Sequence, residues 1–139
     1  MKVPVRVSLL SHIVEPGGEV RETRHSYDGT WYRQPTGDYL VYVDEGIHTT
    51  LRWDPREVRL YRRGDAMEAY QLFRTDHALD FELALGGNKL EMTTTTHRMT
   101  TRTDQDGGEI VLEYSLFSGD TDLGIFTLTI KMAVTRGDR

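Results

Sequence analysis

The sequence predicts one all-β domain over residues 1–139, an antiparallel up-and-down (meander) barrel of about eight to ten strands. Three observations favour this fold. Apolar residues recur at every second position along much of the chain, which is the period of a half-buried strand. Turn signals rich in Gly, Pro and Asp separate these segments at short intervals, as in sandwiches and barrels. Such short connections favour hairpin-linked neighbours, and closing the sheet removes its exposed edges.

Short turns divide the chain into about ten predicted strands. The first strand ends at Pro16-Gly17-Gly18, where glycine tolerates a positive φ and proline fixes the entry to the turn. Gly64-Asp65 has the composition of a two-residue hairpin turn. The strands are predicted from residue 3 to the turn at 15–18, and then at 19–33, 39–45, 48–54, 57–63, 66–73, 79–85, 89–103, 109–118 and 124–135.

Three of these segments carry particular signals. Residues 79–85 alternate apolar with polar or small side chains and form the clearest half-buried strand. Asp28-Gly29 interrupts the second strand, and a glycine inside a strand indicates a bulge or a sharp bend. Residues 65–76 have apolar spacing that a short helix would tolerate. No second helix is predicted for it to pack against, so we interpret this segment as a strand.

The composition suits a sheet with one solvent-exposed face and one buried face, because the hydrophobic content is a modest 37%. The formal charge is −5 at pH 7. An acidic surface has no electrostatic attraction to phosphate backbones or anionic lipids. We therefore expect neither nucleic acid nor a membrane as a partner.

The chain contains no cysteine, which excludes disulfides, thiolate metal sites and cysteine nucleophiles. At the N-terminus, Pro4 and Arg6 interrupt the apolar run that a signal peptide requires. No stretch approaches the ~20 apolar residues of a membrane-spanning helix. These absences predict a cytoplasmic protein.

Alternation also predicts which polar side chains point into the barrel, because residues two apart share a face of the strand. Leu60 places Arg62 inside, and Glu22 and Arg24 follow if Val20 faces inward. The predicted interior set, which is also the set of candidate ligand-binding residues, is Glu22, Arg24, Arg62, Thr94, Thr96 and Tyr114, with Gln71 and Arg98 expected on the same face.

Charges in such an interior need partners, because an isolated buried charge is costly. We expect Glu22 to pair with Arg62 or Arg24, while Tyr114 and the threonines supply hydroxyl groups. Two interpretations remain open. The cluster is either a satisfied polar plug that fixes strand register, or a site where arginine binds the carboxylate or phosphate of a ligand.

No catalytic or metal-binding signature stands out. The five histidines form no metal-ligand spacing, and His97 is out of phase with the apolar face and is expected in solvent. The chain has no Gly-x-Ser-x-Gly motif. Trp31 and Trp53 are expected to fill the core or close the barrel ends. We predict no metal and no cofactor, and we favour a non-enzymatic protein while leaving enzyme activity open.

Four short motifs lie along the chain: Glu22 and Arg24 after the first hairpin, the strand at 39–45 that ends in acidic residues, Arg62-Arg63-Gly64 at the end of 58–64, and the segment 90–96 ahead of 108–114. Together they resemble the YwiB-like family, a group of uncharacterised bacterial proteins with a calycin-like (lipocalin-like) β-barrel. The resemblance implies a barrel fold and cytoplasmic residence, and it implies no activity. The wider calycin analogy suggests small-molecule binding, although fold alone does not transmit function.

Two functional hypotheses follow from the sequence. The first is a non-enzymatic barrel that binds a small anionic or amphipathic molecule in its interior. The alternative is a structural or interaction module with a filled barrel, acting through its outer face or a dimer contact. A homodimer is left open.

Overall fold

The computed structural model describes residues 1–135 and contains strands and turns but no helix in that range. The ten strands are β1 (Lys2–Val14), β2 (Val20–Tyr32), β3 (Asp38–Asp44), β4 (Ile47–Trp53), β5 (Val58–Arg63), β6 (Met67–Phe73), β7 (Ala78–Leu85), β8 (Asn88–Asp104), β9 (Gly107–Ser118) and β10 (Thr121–Val134). The segment with helix-like spacing is therefore the strand β6. Since residues 1–135 hold no helix, they hold none able to cross a membrane.

The strands form one closed barrel in the order β1-β10-β9-β8-β7-β6-β5-β4-β3-β2. Each strand is antiparallel to its neighbours in sequence, and β1 closes the barrel against β10. This arrangement confirms the predicted up-and-down barrel. Closure pairs both edges of the sheet, which an open meander would leave exposed.

The barrel has a long-stranded side and a short-stranded side. Strands β8, β9, β10, β1 and β2 contain 12–17 residues each, whereas β3 to β7 contain 6–8. β2 pairs with β3 only from Gly29 to Tyr32. Residues 20–28 of β2, which we call the β2 overhang, therefore extend past β3 and have no neighbour on that side.

Gly29 allows strands to pack closely and does not form the predicted bulge. β2 pairs with β1 in unbroken register past this residue. A Cβ atom at Gly29 would lie 2.9 Å from the Val41 carbonyl oxygen and 2.9 Å from Val7 Cγ2. Glycine is thus required for close approach, the other common reason for glycine in a strand. The register shifts instead at two other places. One lies between Asp122 and Ile125 in β10, and the other lies between Thr96 and Arg98 in β8.

The core consists of apolar side chains that point inward from both sides of the barrel. Trp31 is fully buried and Trp53 is 5% exposed, so both tryptophans fill the core as predicted. The buried core residues are Val5, Val7, Trp31, Leu40, Tyr42, Leu51, Trp53, Val58, Leu60, Phe73, Ile110, Leu112, Tyr114, Ile130 and Met132. Burial of this apolar surface is the main favourable contribution to folding.

A buried carboxylate links the turn before β5 to the end of β6. The Glu57 side chain is only 7% exposed and accepts hydrogen bonds from Arg74 Nη2 at 2.6 Å and from Arg74 Nε at 2.9 Å. Arg59 Nε donates to the other carboxylate oxygen. Hydrogen bonds from Arg74, followed by those from Arg59, lower the pKa of Glu57. The sequence predicts Glu57 as the first residue of a strand, whereas β5 begins at Val58 and Glu57 lies in the turn before it, so alternation does not indicate this group.

We predict that Glu57→Gln lowers the free energy of unfolding by about 1–2 kcal/mol at pH 7, a modest value because both arginines remain partly in solvent. The folded-state pKa of Glu57 lies below its usual value of 4.5, so its contribution is present above pH 4.5 and is lost as pH falls through the folded pKa. Urea denaturation from pH 7 to pH 3 should show the two proteins converging.

Glu82→Gln is the matched control, because Glu82 is exposed and pairs with Lys89 at 3.8 Å on the surface. We expect that change to cost less than about 0.5 kcal/mol. Equal costs for the two variants at every pH would show that Glu57 adds no more than a surface ion pair.

Candidate functional site

Arg62 lies in a row of inward-facing side chains that crosses four neighbouring strands. The strand register places Tyr42 opposite Thr49, Thr49 opposite Arg62, and Arg62 opposite Ala69. Tyr42, Thr49 and Ala69 are 6%, 1% and 2% exposed. Arg62 itself is half-buried, one residue before the end of β5. The inward orientation predicted for Arg62 is therefore confirmed.

The second wall of the cluster comes from β8 and β9. Thr94 and Thr96 are each 1% exposed, and Tyr114, which pairs with Thr96 across the two strands, is 8% exposed. Gln71 of β6 is also buried, and its Nε2 donates a hydrogen bond to Thr94 Oγ1 at 2.8 Å. The inward orientation predicted for these four residues is confirmed.

Arg62 is the cation of this cluster, and within residues 1–135 its charge has no carboxylate counterion. Among residues 1–135, no carboxylate oxygen lies within 4.0 Å of its guanidinium. Its Nε is buried and has no hydrogen-bond partner, and the same is true of Thr96 Oγ1. Buried polar groups without partners are uncommon, because desolvation without a compensating hydrogen bond is costly. The cluster is therefore not a fully satisfied plug.

Glu22 and Arg24 are on the outer face of the barrel, so the prediction that they face inward is wrong. Both are exposed, and Arg24 Nη2 lies 3.6 Å from Glu22 Oε1. The prediction assumed that Val20 faces inward, but Val20 is 57% exposed. The buried Trp31 defines the dry face of β2, and it shares parity with residues 27 and 29 rather than 22 and 24. Glu22 also lies 3.3 Å from His12.

The prediction that Arg98 faces inward is also wrong, because the pairing of β8 with β9 is locally irregular. The register between β8 and β9 shifts between Thr96 and Arg98. The intervening His97 is exposed, as predicted, and bonds through Nε2 to Ser115 Oγ at 2.6 Å. The extra residue reverses parity, so Arg98 faces outward and pairs in register with Glu113.

Arg24 and Arg98 instead belong to a groove on the outer wall, formed where the five long strands lie side by side. The groove has a volume of about 580 Å³. Strongly twisted sheets are hyperboloid, which makes an outer wall concave along its strands. The lining residues that face outward include Leu10, Arg24, Arg98, Val111, Thr129 and Lys131.

Two tyrosines adjoin Arg62 as neutral hydroxyl groups. Burial raises the pKa of Tyr42 to about 12, although the Arg62 charge and a hydrogen bond with Thr49 act in the opposite direction. Burial also raises the pKa of Tyr114 to about 12, again opposed by Arg62. Both hydroxyls thus remain protonated near neutral pH. The sequence interpretation missed Tyr42 and Thr49, although the buried Leu40 and Leu51 two residues away share their faces.

Among residues 1–135, no group of three His, Asp or Glu side chains is placed to hold a metal ion. The interior cluster consists of one guanidinium, hydroxyl groups and an amide. This chemistry suits the binding of an anion by charge-assisted hydrogen bonds.

The pKa of Tyr114 predicts a loss of stability in alkali. Its folded-state pKa of about 12 exceeds the usual 10, so its contribution is complete below pH 10 and is lost between pH 10 and pH 12. Between pH 9 and pH 11, Tyr114→Phe should lose about 1 kcal/mol less unfolding free energy than the wild type. Tyr70→Phe, on the outer wall, is the control for urea denaturation. Parallel losses in all three proteins would contradict the burial of Tyr114.

Comparisons with known proteins agree with this architecture. The crystal structure of the ywiB protein from Bacillus subtilis superposes with a TM-score of 0.87, covering 97% of this chain and 94% of that one at 22% sequence identity. At that identity the likeness concerns the fold. Among curated proteins no sequence match is found. The family described as a domain of unknown function, DUF1934, matches residues 7–130. The predicted resemblance is thereby confirmed, and the chain belongs to the DUF1934 family of YwiB-like β-barrel proteins.

Proposed function

We propose that this barrel binds a small molecule with an anionic group, and that Arg62 holds that group from inside the barrel. One observation carries the proposal. Arg62 is a half-buried cation whose Nε is enclosed by protein and lacks a hydrogen-bond partner. A carboxylate or phosphate at this position would supply both the missing counterion and the missing acceptor.

The surroundings of Arg62 support the same ligand class. Tyr42 and Tyr114 lie close enough to Arg62 for its charge to act on their pKa values, and both carry neutral hydroxyl groups. Thr96, beside Tyr114 in the register, contributes a buried hydroxyl without a partner. An anionic ligand would supply the counterion that Arg62 lacks, whereas a cationic or purely apolar ligand would leave Arg62 unpaired.

The same chemistry favours binding over catalysis. A general base works best with a pKa near the working pH, and the tyrosines beside Arg62 have pKa values of about 12. Tyrosine hydroxyls that stay protonated can bind a ligand by hydrogen bonds without transferring a proton. We place this binding protein in the cytoplasm, which the sequence predicts.

The second candidate is an interaction module that acts through its outer face, and the outer groove is the observation that favours it. Three cationic side chains, Arg24, Arg98 and Lys131, line this groove. Lys131 lies 3.7 Å from Glu109, and Arg24 lies 3.6 Å from Glu22. These contacts already compensate two of the three charges, which makes the groove the weaker anion site.

The proposal predicts that Arg62→Met abolishes the stabilisation of the protein by anions. We would measure thermal unfolding in increasing sodium phosphate, with sodium chloride added to hold the ionic strength constant. At a phosphate concentration 100 times Kd, the wild type should gain about 2.7 kcal/mol. Isothermal titration calorimetry on the same samples would give the affinity directly.

Two arginines provide matched controls. Arg63 is exposed beside Arg62, and Arg24 lines the outer groove. Arg63→Met and Arg24→Met should both keep the phosphate response. Loss of the response in Arg24→Met together with its retention in Arg62→Met would reject the interior site in favour of the outer groove. Without phosphate, Arg62→Met should be as stable as the wild type or more so, since it removes an unpaired charge.

A further inference from the structure

We infer that the molecule bound at Arg62 carries an aromatic ring next to its acidic group. This inference rests on the proposed function and extends it to a ligand class. Its basis is a pair of aromatic stacks that begin beside Arg62 and continue towards solvent.

The first stack runs from Tyr42 of β3 onto the β2 overhang. The Tyr27 ring lies 5.2 Å from the Tyr42 ring, with only 13° between the two planes. His25 continues the stack at 6.1 Å from Tyr27, with an interplanar angle of 21°. Near-parallel rings at these separations match the offset-stacked arrangement that aromatic pairs prefer.

The second stack rises from the opposite wall. Phe73 meets Tyr114 edge-on, with ring centroids 4.9 Å apart. Phe126 stacks on Tyr114 at 5.3 Å, with an angle of 15° between the planes. Tyr114 therefore has one aromatic neighbour deeper in the core and one on the side of higher exposure.

Exposure increases along both stacks with distance from Arg62. Tyr42 and Tyr114, whose pKa values reflect the Arg62 charge, are 6% and 8% exposed. Tyr27 and Phe126 are half-buried, and His25 is exposed. A core that only needed to be filled would not require rings to continue to the surface on both walls.

The outer two rings of the first stack lie on the β2 overhang. His25 and Tyr27 lie in the part of β2 that has no β3 partner. This unpaired edge lies at the end of the barrel where β5 ends at Arg63. A ligand that enters here meets stacked rings before its acidic group reaches the guanidinium. Rings bind flat π-systems by stacking, so this entrance selects for an aromatic body.

Aliphatic side chains are also present at this end, which makes a matched comparison necessary. Leu9 and Leu128 are partly buried against the core and would contact any apolar ligand. Benzoate and cyclohexanecarboxylate carry the same acid on a six-carbon ring, but only benzoate is flat and aromatic. The ratio of their affinities isolates stacking from general hydrophobic contact.

The test is isothermal titration calorimetry of the full chain with benzoate, cyclohexanecarboxylate and inorganic phosphate at pH 7.5. We expect benzoate to bind roughly fivefold more tightly than cyclohexanecarboxylate, the order expected for one aromatic pair. Phe126→Leu and Tyr27→Leu should each bring that ratio close to one while leaving phosphate affinity unchanged. Tyr70→Leu removes an exposed ring on the outer wall and should preserve the ratio.

The outcomes separate this inference from the proposed function. If all three anions bind in an Arg62-dependent manner and the two carboxylates bind equally, the aromatic inference is wrong and the anion site stands. If Arg62→Met binds every anion as the wild type does, both are wrong. A preference for benzoate that survives both Phe126→Leu and Tyr27→Leu would also overturn the inference, because the stacks would not be its cause. Thermal unfolding of each variant confirms that it is folded before titration.

Discussion

Closure of the sheet is the constraint on which the rest of this structure depends. Once ten antiparallel strands form a barrel, each strand has one dry face and one wet face, and a shift of one residue exchanges them. The arginine at position 62 lies on the dry face with apolar residues before it on the same strand. Closure thus holds a cation inside the protein, where it lacks a carboxylate partner among residues 1–135. The unequal strand lengths then leave residues 20–28 of β2 without a β3 partner at the end of the barrel where β5 ends.

Alternation in the sequence predicts the interior wherever buried residues on the same strand define the dry face. It succeeds for Arg62, which follows two buried residues without a register shift. It fails for Glu22, because the nearest apolar residue, Val20, is exposed and the informative Trp31 lies nine positions further along the chain. It fails for Arg98 because a bulge reverses parity, and a bulge is a property of the pairing between two strands that one strand's sequence does not contain.

Other parts of the site depend on contacts between distant segments and were beyond sequence reasoning. Arg74 reaches Glu57 across 17 positions, and neither residue belongs to an alternating pattern that indicates the contact. The absence of a counterion at Arg62 is likewise a property of the assembled interior. The sequence predicts Glu22 as a partner of Arg62, and only the observed orientation of β2 removes it. That correction leaves Arg62 without the carboxylate partner that the sequence predicts.

The most direct test of this account is NMR observation of the arginine Nε–Hε groups during a phosphate titration. The Arg62 signal is assigned by its loss in Arg62→Met, and the Arg24 signal by its loss in Arg24→Met. The account predicts that the Arg62 cross-peak shifts with saturation while the Arg24 cross-peak, from the outer wall, stays in place. An Arg62 signal that does not respond to phosphate at any concentration, or a saturable response confined to Arg24, would contradict the proposal that the barrel interior is an anion-binding site.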